Sequence, residues 1–291
     1  ALKDRYPADP KKEEKARQNV NEMLAKLVRW EQGGGFNTWP QLSDWNSRSV
    51  YLTAYALDFI LSAREAGFKA DANLIKNIQG FLKQALDSKY QGWPKWYSEA
   101  GIRQSKSYAL AMLSRSGENV AAYISVMYKE RNTLGLFELV NLTEAINRQT
   151  QLEQATKMSQ INSLVKLMEN HIHVTAGEIQ FTDNTQNTPE IWSSPVRNSA
   201  LVLKVLCEVK PDHDLLPALV RWLAGETRNG HFGTTHNNAQ ALSALAKYVK
   251  IMEPVNPDLS VKALLGSSPL AEARFTAFTD PAVRGSAPLT S

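Results

Sequence analysis

Ile191-Trp192-Ser193-Ser194-Pro195 opens an apolar run that lasts to Val209. Pro211-Asp212-His213-Asp214 breaks it, and a second apolar run extends from Leu215 to Leu223. Asn229-Gly230-His231-Phe232-Gly233-Thr234-Thr235 follows as a turn, and a third run covers Ala239 to Tyr248. The order predicts helix, proline break, helix, glycine turn, helix over Ile191–Tyr248. The same grammar recurs near the start of the chain. Leu27-Val28-Arg29-Trp30 before Gly35-Phe36 echoes Leu219-Val220-Arg221-Trp222 before Gly230-His231-Phe232. A recurring supersecondary unit is therefore the first organising feature.

Working outward, helices alternate between two kinds. Lys11–Trp30 carries Val20, Leu24, Leu27 and Val28 on one stripe, an amphipathic helix closed by Gly33-Gly34-Gly35. Ser49–Ala66 is apolar on nearly every side, so burial all round is expected. Asn73–Asp87 is amphipathic, Gln104–Ser114 short and apolar, Asn119–Arg131 amphipathic, Thr133–Arg148 apolar early and polar late, and Gln151–Asn170 amphipathic. Connections after the amphipathic helices tend to hold glycine and an aromatic residue. Asn170–Thr182 alternates around a glycine turn and predicts a β-hairpin. After Pro254 and Pro257 the helical pattern stops, and Leu259–Leu264 and Glu272–Phe278 read as strands.

This alternation predicts an all-α fold, an α/α toroid: two concentric rings of helices with the apolar ones inside. A small β-hairpin is inserted, and a short β segment ends the chain. A linear solenoid is the alternative, although its helices keep one polar face. A closed toroid of this kind has six hairpins, and about five are countable. Either a pair is missed or part of the ring lies upstream of Ala1. The boundary falls at 252/253, with 1–252 as the toroid and 253–291 as part of a neighbouring β-domain. The apolar helices 49–66, 104–114, 196–209 and 239–249 are expected to pack the barrel axis with Tyr, Leu, Val and Ala.

Bulk properties narrow the function classes. The 291 residues are 43% hydrophobic, enough for a sizeable core, and the net charge is +4 from 33 basic and 29 acidic side chains. That charge is too mild and dispersed for a nucleic-acid partner. One cysteine, Cys207, excludes an intrachain disulfide framework. No apolar run reaches the length of a membrane span, so direct membrane insertion is not expected.

Candidate chemistry is sparse. Trp39, Trp45, Trp93, Trp96 and Trp192 fall in inter-helix loops, and His236 sits beside the last glycine turn. Together they mark a barrel-end surface. The tryptophans either line a carbohydrate or terpenoid pocket or plug the barrel end across the turns. His171 and His173 share a strand face without a third ligand, and Asp212-His213-Asp214 reads as an N-cap with first-turn acids. The carboxylates Asp44, Asp58, Glu99, Glu138, Asp183 and Glu190 form no recognisable acid–base pair. No catalytic residue, metal or cofactor is expected.

Several segments resemble the thioester-domain toroid of bacterial α2-macroglobulins. They are Trp30-Glu31-Gln32-Gly33-Gly34-Gly35-Phe36 with Trp39-Pro40, Leu52–Phe59, Trp192–Leu206, Leu219–Leu223 and Gly233–Leu245. The resemblance covers about Gln18–Tyr248. It implies a toroid within a large envelope or periplasmic protein, related to complement components, that entraps proteases. The implied partners are the other domains of that protein and its target proteases. Some members of the family carry a thioester in a C-x-E-Q motif; that motif is absent here and in the family precedes the first helix of this chain. A toroid enzyme, such as a terpenoid cyclase or polysaccharide lyase, is the reading from another class. The cyclase reading needs a D-x-D-D cluster that the sequence lacks. A plain interaction scaffold is the third.

Overall fold

The computed structural model describes residues 9–38, 48–95, 97–175, 178–183, 192–253, 255–277 and 280–286. Ten α-helices occur among them: α1 (Pro10–Trp30), α2 (Val50–Glu65), α3 (Ala72–Leu86), α4 (Glu99–Arg115), α5 (Ala121–Lys129), α6 (Leu136–Arg148), α7 (Gln154–Glu169), α8 (Pro195–Val209), α9 (Leu216–Gly225) and α10 (Thr235–Met252). Three antiparallel strand pairs accompany them: β1 (Phe36–Asn37) with β2 (Arg48–Ser49), β3 (Ile172–Thr175) with β4 (Glu178–Phe181), and β5 (Leu259–Leu265) with β6 (Ser268–Phe275).

The helices form two layers. In the inner one, α2 packs on α4, α4 on α6, α6 on α8 and α8 on α10. In the outer one, α3 lies against α2 and α4, α5 and α7 against α6, α9 against α8, and α1 against α2. The inner helices run parallel, because their corresponding ends meet. Arg115 at the end of α4 reaches Asp58 and Glu65 of α2, and Arg148 at the end of α6 reaches Glu208 near the end of α8. At the opposite end Ser194 Oγ donates to Asn237 Oδ1 at 2.9 Å, joining the starts of α8 and α10. Burial follows the layers. Ten of the thirteen residues of α6 are buried, whereas α1 buries only Leu24 and Leu27 of its 21.

Local chemistry explains the helix starts. Ser49, Ser98, Ser194 and Thr234 each accept a backbone N–H of the first turn that would otherwise be orphaned. In α6 the Glu138 carboxylate takes that role for the Gly135 N–H at 2.6 Å. Helix α10 runs four residues beyond its expected bounds at each end and β6 starts four residues early; two further differences have a local cause. Helix α4 begins at Glu99, five residues before the expected Gln104, because Ser98 caps it and Gly101 is accommodated inside the helix, where its N–H donates to Ser98 Oγ at 3.1 Å. Asp212 and Asp214 do not cap α9, whose N-cap is Leu215 without a side-chain cap. The Leu215 N–H instead donates to Nδ1 of His213 at 3.3 Å, and the other ring nitrogen of His213 lies 3.2 Å from Glu169.

The internal echo in the sequence is a structural repeat. After α1, Gln32 and Gly35 form a bridge, and after α9 the same bridge joins Arg228 and His231. The phenylalanine that follows is buried in both, as Phe36 and Phe232. The Phe36 N–H donates to Thr53 Oγ1 of α2 at 3.0 Å, and the Phe232 N–H to Asn238 Oδ1 of α10 at 2.8 Å. Phe181, ending β4, repeats the device with Ser199 Oγ of α8 at 2.9 Å. Each outer-to-inner connection of this type thus inserts an aromatic wedge and ties its backbone to the next inner helix. Gly34 is required in the first turn: its φ is +87°, and a Cβ there would stand 2.5 Å from the Asn77 carbonyl oxygen.

The β3–β4 hairpin arises where the alternating pattern predicts it and packs on α8 and α9. The β5–β6 hairpin differs, since every β5 residue is exposed, Leu259, Val261, Leu264 and Leu265 among them. A two-stranded hairpin with exposed apolar side chains is marginal alone.

Candidate functional site

Trp39, Trp45 and Trp96 lie outside the described residues. Trp93, Trp192 and His236 all sit on outer-to-inner connections or just past them, and therefore at the same end of the helical layers. They do not share one cluster. Trp93 meets Tyr90 edge-on at 5.4 Å and Tyr97 at 6.0 Å, with the Lys106 ammonium 5.8 Å from its ring. Trp192 is 69% exposed ahead of α8. His236 stands in the first turn of α10, its ring 5.9 Å from that of Tyr55 on α2.

The residue that sequence reading missed is Arg197. It lies in the first turn of α8 and is only 2% exposed. Its guanidinium lies over Phe137 at 4.4 Å, and its Nε donates to His236 Nε2 at 3.0 Å. Because Nε2 is the acceptor, the ring proton of His236 belongs on Nδ1 and the ring is neutral. Burial, reinforced by the Arg197 charge, pushes His236 down to about 4. The available signal was an arginine at the head of an apolar run, where a solvated face would otherwise be expected.

A pH dependence follows from His236. Its folded value of about 4 lies below the usual value near 6.5. The unfolded chain therefore binds the extra proton between those limits, and stability falls as pH drops through that window. Unscreened, the difference would be worth about 3 kcal/mol; the ring keeps partial contact with solvent, which reduces the acid sensitivity to about 1–2 kcal/mol. Denaturant titrations from pH 7 to pH 4 should show the slope, and His236→Gln should flatten it.

The space between the inner helices is filled, but not by apolar residues alone and not by the four helices expected: α10 buries only Ala241 and Ala244, and α6, outside that set, is buried between α4 and α8. A cavity of about 20 Å³ remains, lined from all five inner helices by residues that include Asp58, Asn141, Glu144, Arg197, Lys204 and Gln240. That volume suits about one water. Asp58 and Asn141 have partners facing them from a neighbouring helix, Asn141 donating to Ser107 Oγ. Asp58 accepts from Tyr108 Oη at 2.8 Å and from Arg115 Nη1 at 2.5 Å. Burial alone would raise the Asp58 carboxyl; Lys204, Arg115 and these hydrogen bonds outweigh it and hold the group below the usual carboxylate range. Burial raises the Tyr108 hydroxyl well above its ordinary value, with Asp58 adding to the effect. Farther along, Glu208 pairs with both Arg148 and Lys247, and burial followed by the Lys204 charge lowers Lys247 to about 8. These carboxylates serve as anchors between helices.

Cys207 is buried in α8 at 1% exposure. Burial pushes its thiol up to about 11, against the opposing charge of Lys247. A reactive thiolate needs a lowered value and access. Glu208, Val209 and Lys210 follow it, so no glutamine stands three positions on. Cys207 is expected to alkylate slowly in the folded chain and at the free-thiol rate in denaturant. Intact mass with and without methylamine should be identical; a methylamine-dependent gain would contradict this account of the thiol. Among the described residues no three His, Cys, Asp or Glu side chains gather as a metal site.

No family model matches the chain. An α2-macroglobulin homolog of Nostoc is 25% identical over 283 residues, which is 94% of this chain and 14% of that relative. Among solved structures, a variant of Salmonella α2-macroglobulin superposes with a TM-score of 0.66 at 20% identity, over 93% of this chain and 16% of that one. Native Escherichia coli α2-macroglobulin, from domain MG7 to the C-terminus, gives 0.64 at 19% identity over 91% of this chain and 38% of that one. The chain is thus a counterpart of one small region of much longer proteins. Over most of its length it is similar in sequence to an α2-macroglobulin homolog and shares the fold of the corresponding region of bacterial α2-macroglobulins.

Proposed function

We propose that this chain is a non-enzymatic domain of a large bacterial α2-macroglobulin-like protein that entraps proteases at the cell envelope. Residues 1–252 form the toroid-like unit and 253–291 belong to an adjoining β-domain. The observation that carries the reading is the filled axis. Five inner helices surround about 20 Å³, and Asp58 there is held by Tyr108 and Arg115. A toroid enzyme needs a deep axial pocket with acids free to act on a substrate. The similarity to α2-macroglobulins over 94% of the chain supports the same reading. So does the exposed β5–β6 hairpin, whose apolar side chains need a neighbour. Among the described residues no helix is long and apolar enough to cross a membrane.

The test uses the full-length protein. Mixed with trypsin, it is expected to hold the protease in a high-mass complex and to suppress cleavage of a large protein substrate. Free trypsin at undiminished activity, with no complex on size exclusion, overturns the proposal.

A further inference from the structure

The outer layer parts over the first half of α4. Helix α3 packs on α4, but α5, only nine residues long, packs on α6. Between the two outer helices lies a cleft of about 510 Å³, a size that suits a small molecule. Its apolar walls are Leu86 at the end of α3 and Tyr123, Val126 and Met127 of α5. Its floor is one stripe of α4, formed by Ile102, Lys106 and Leu110 a turn apart. Leu110 is fully buried, whereas Val126 at the mouth is 61% exposed.

Lys106 is the charged member of that stripe. It is half-buried, and burial lowers its ammonium below the ordinary lysine range against the opposing charge of Asp87. Of the three donors on the ammonium, one reaches the Asp87 carbonyl oxygen at 3.4 Å, and the Trp93 ring stands 5.8 Å away. No carboxylate among the described residues forms an ion pair with it. Arg103, the other cation of the cleft, is engaged by the buried Glu138 at 2.6 Å. The acids of the cleft, Asp87, Glu99 and Glu130, are exposed at its rim, where water and salt screen them. A desolvated ammonium beside an apolar wall is complementary to a single negative charge on an apolar body. The rim acids count against a head of higher charge, such as a phosphate.

We propose that the cleft between α3, α4 and α5 binds a small amphipathic monocarboxylate, with its carboxylate on Lys106 and its apolar chain against Ile102, Leu110, Tyr123, Val126 and Met127. The carboxylate gives the Lys106 ammonium the counter-charge that this chain does not supply, and the apolar chain covers Val126. The site lies in the outer layer, away from the axis, and is independent of protease entrapment.

Decanoate is the probe, titrated into the 291-residue chain below its micellar concentration and followed by calorimetry and by methyl NMR of the methionines. One decanoate per chain should bind with a Kd of about 100 µM or tighter. Octanoate should bind about tenfold more weakly, as the loss of two buried methylene groups dictates. The Met127 methyl signal should shift, while that of Met23, in the groove between α1 and α2, should not. Lys106→Met keeps the apolar stem. It should weaken decanoate at least about tenfold and change decanol, the neutral analogue, less than about twofold. Val126→Glu alters an exposed helix position, sets a carboxylate at the mouth and should weaken decanoate by a similar factor. Absence of binding overturns the proposal, as does a shift at Met23 without one at Met127. Equal affinity of decanoate for the unaltered chain and for Lys106→Met also overturns it. So does tighter binding of decyltrimethylammonium than of decanoate, which would give the cleft to its rim acids.

Discussion

Replacing Leu203 by aspartate is expected to leave the chain without a cooperative unfolding transition. Leu203 is fully buried at the centre of α8, the helix that packs on α6, α10, α9 and β4 at once. An unpaired buried charge costs about 5 kcal/mol or more, comparable with the whole stability of a domain. Near-ultraviolet circular dichroism and urea titration measure the loss. Leu203→Met conserves volume and should cost less than about 1.5 kcal/mol. A soluble, cooperatively folded Leu203→Asp chain would remove α8 from the inner layer.

The second large effect concerns the axis charges. Asp58→Leu leaves the Arg115 guanidinium, whose side chain is 7% exposed, with the more exposed Glu65 as its ion-pair partner and with Ser62 Oγ, and strips Tyr108 of its acceptor. Breaking such a pair by removing one partner costs about 3–5 kcal/mol. Arg115→Met alone strands Asp58 beside Lys204 and should cost less, since one cation remains to pair with it. The double variant should recover a good part of the Asp58→Leu loss, because the Arg115 charge is removed together with the carboxylate it pairs with. Additive losses would mean that the two side chains act separately, and the axis network would have to be redrawn.

The contrast between these two sites shows what the sequence could carry. Leu203 belongs to an apolar run visible in any window, and the alternation of two-faced and all-apolar helices translated into layers, except that α6, polar late in its sequence, is an inner helix and α10 buries only Ala241 and Ala244. The β3–β4 hairpin was legible for the same reason, from period-two alternation around a glycine. The Asp58–Arg115 pair was not, because its members stand 57 residues apart and meet only when parallel inner helices align. Arg197 looked like a polar interruption of an apolar run. Its role depends on Phe137 and on His236, 39 residues downstream. His236 was singled out from its place beside a glycine turn, but its neutral state follows only from burial against Arg197. The early start of α4 was hidden by Gly101, which reads as a breaker and is accommodated because Ser98 caps the helix ahead of it.

Two parallel layers, with α2, α4, α6, α8 and α10 inside, underlie every assignment above, and amide hydrogen exchange resolved by helix tests them most directly. The most buried helices, α4, α6 and α8, should exchange slowest and together, as one cooperative unit opening only with global unfolding. Helix α1 and the β5–β6 hairpin should exchange orders of magnitude faster, with the open faces of α2 and α10 between. Exchange in α4 or α8 as fast as in α1 would contradict the layering and the function built on it.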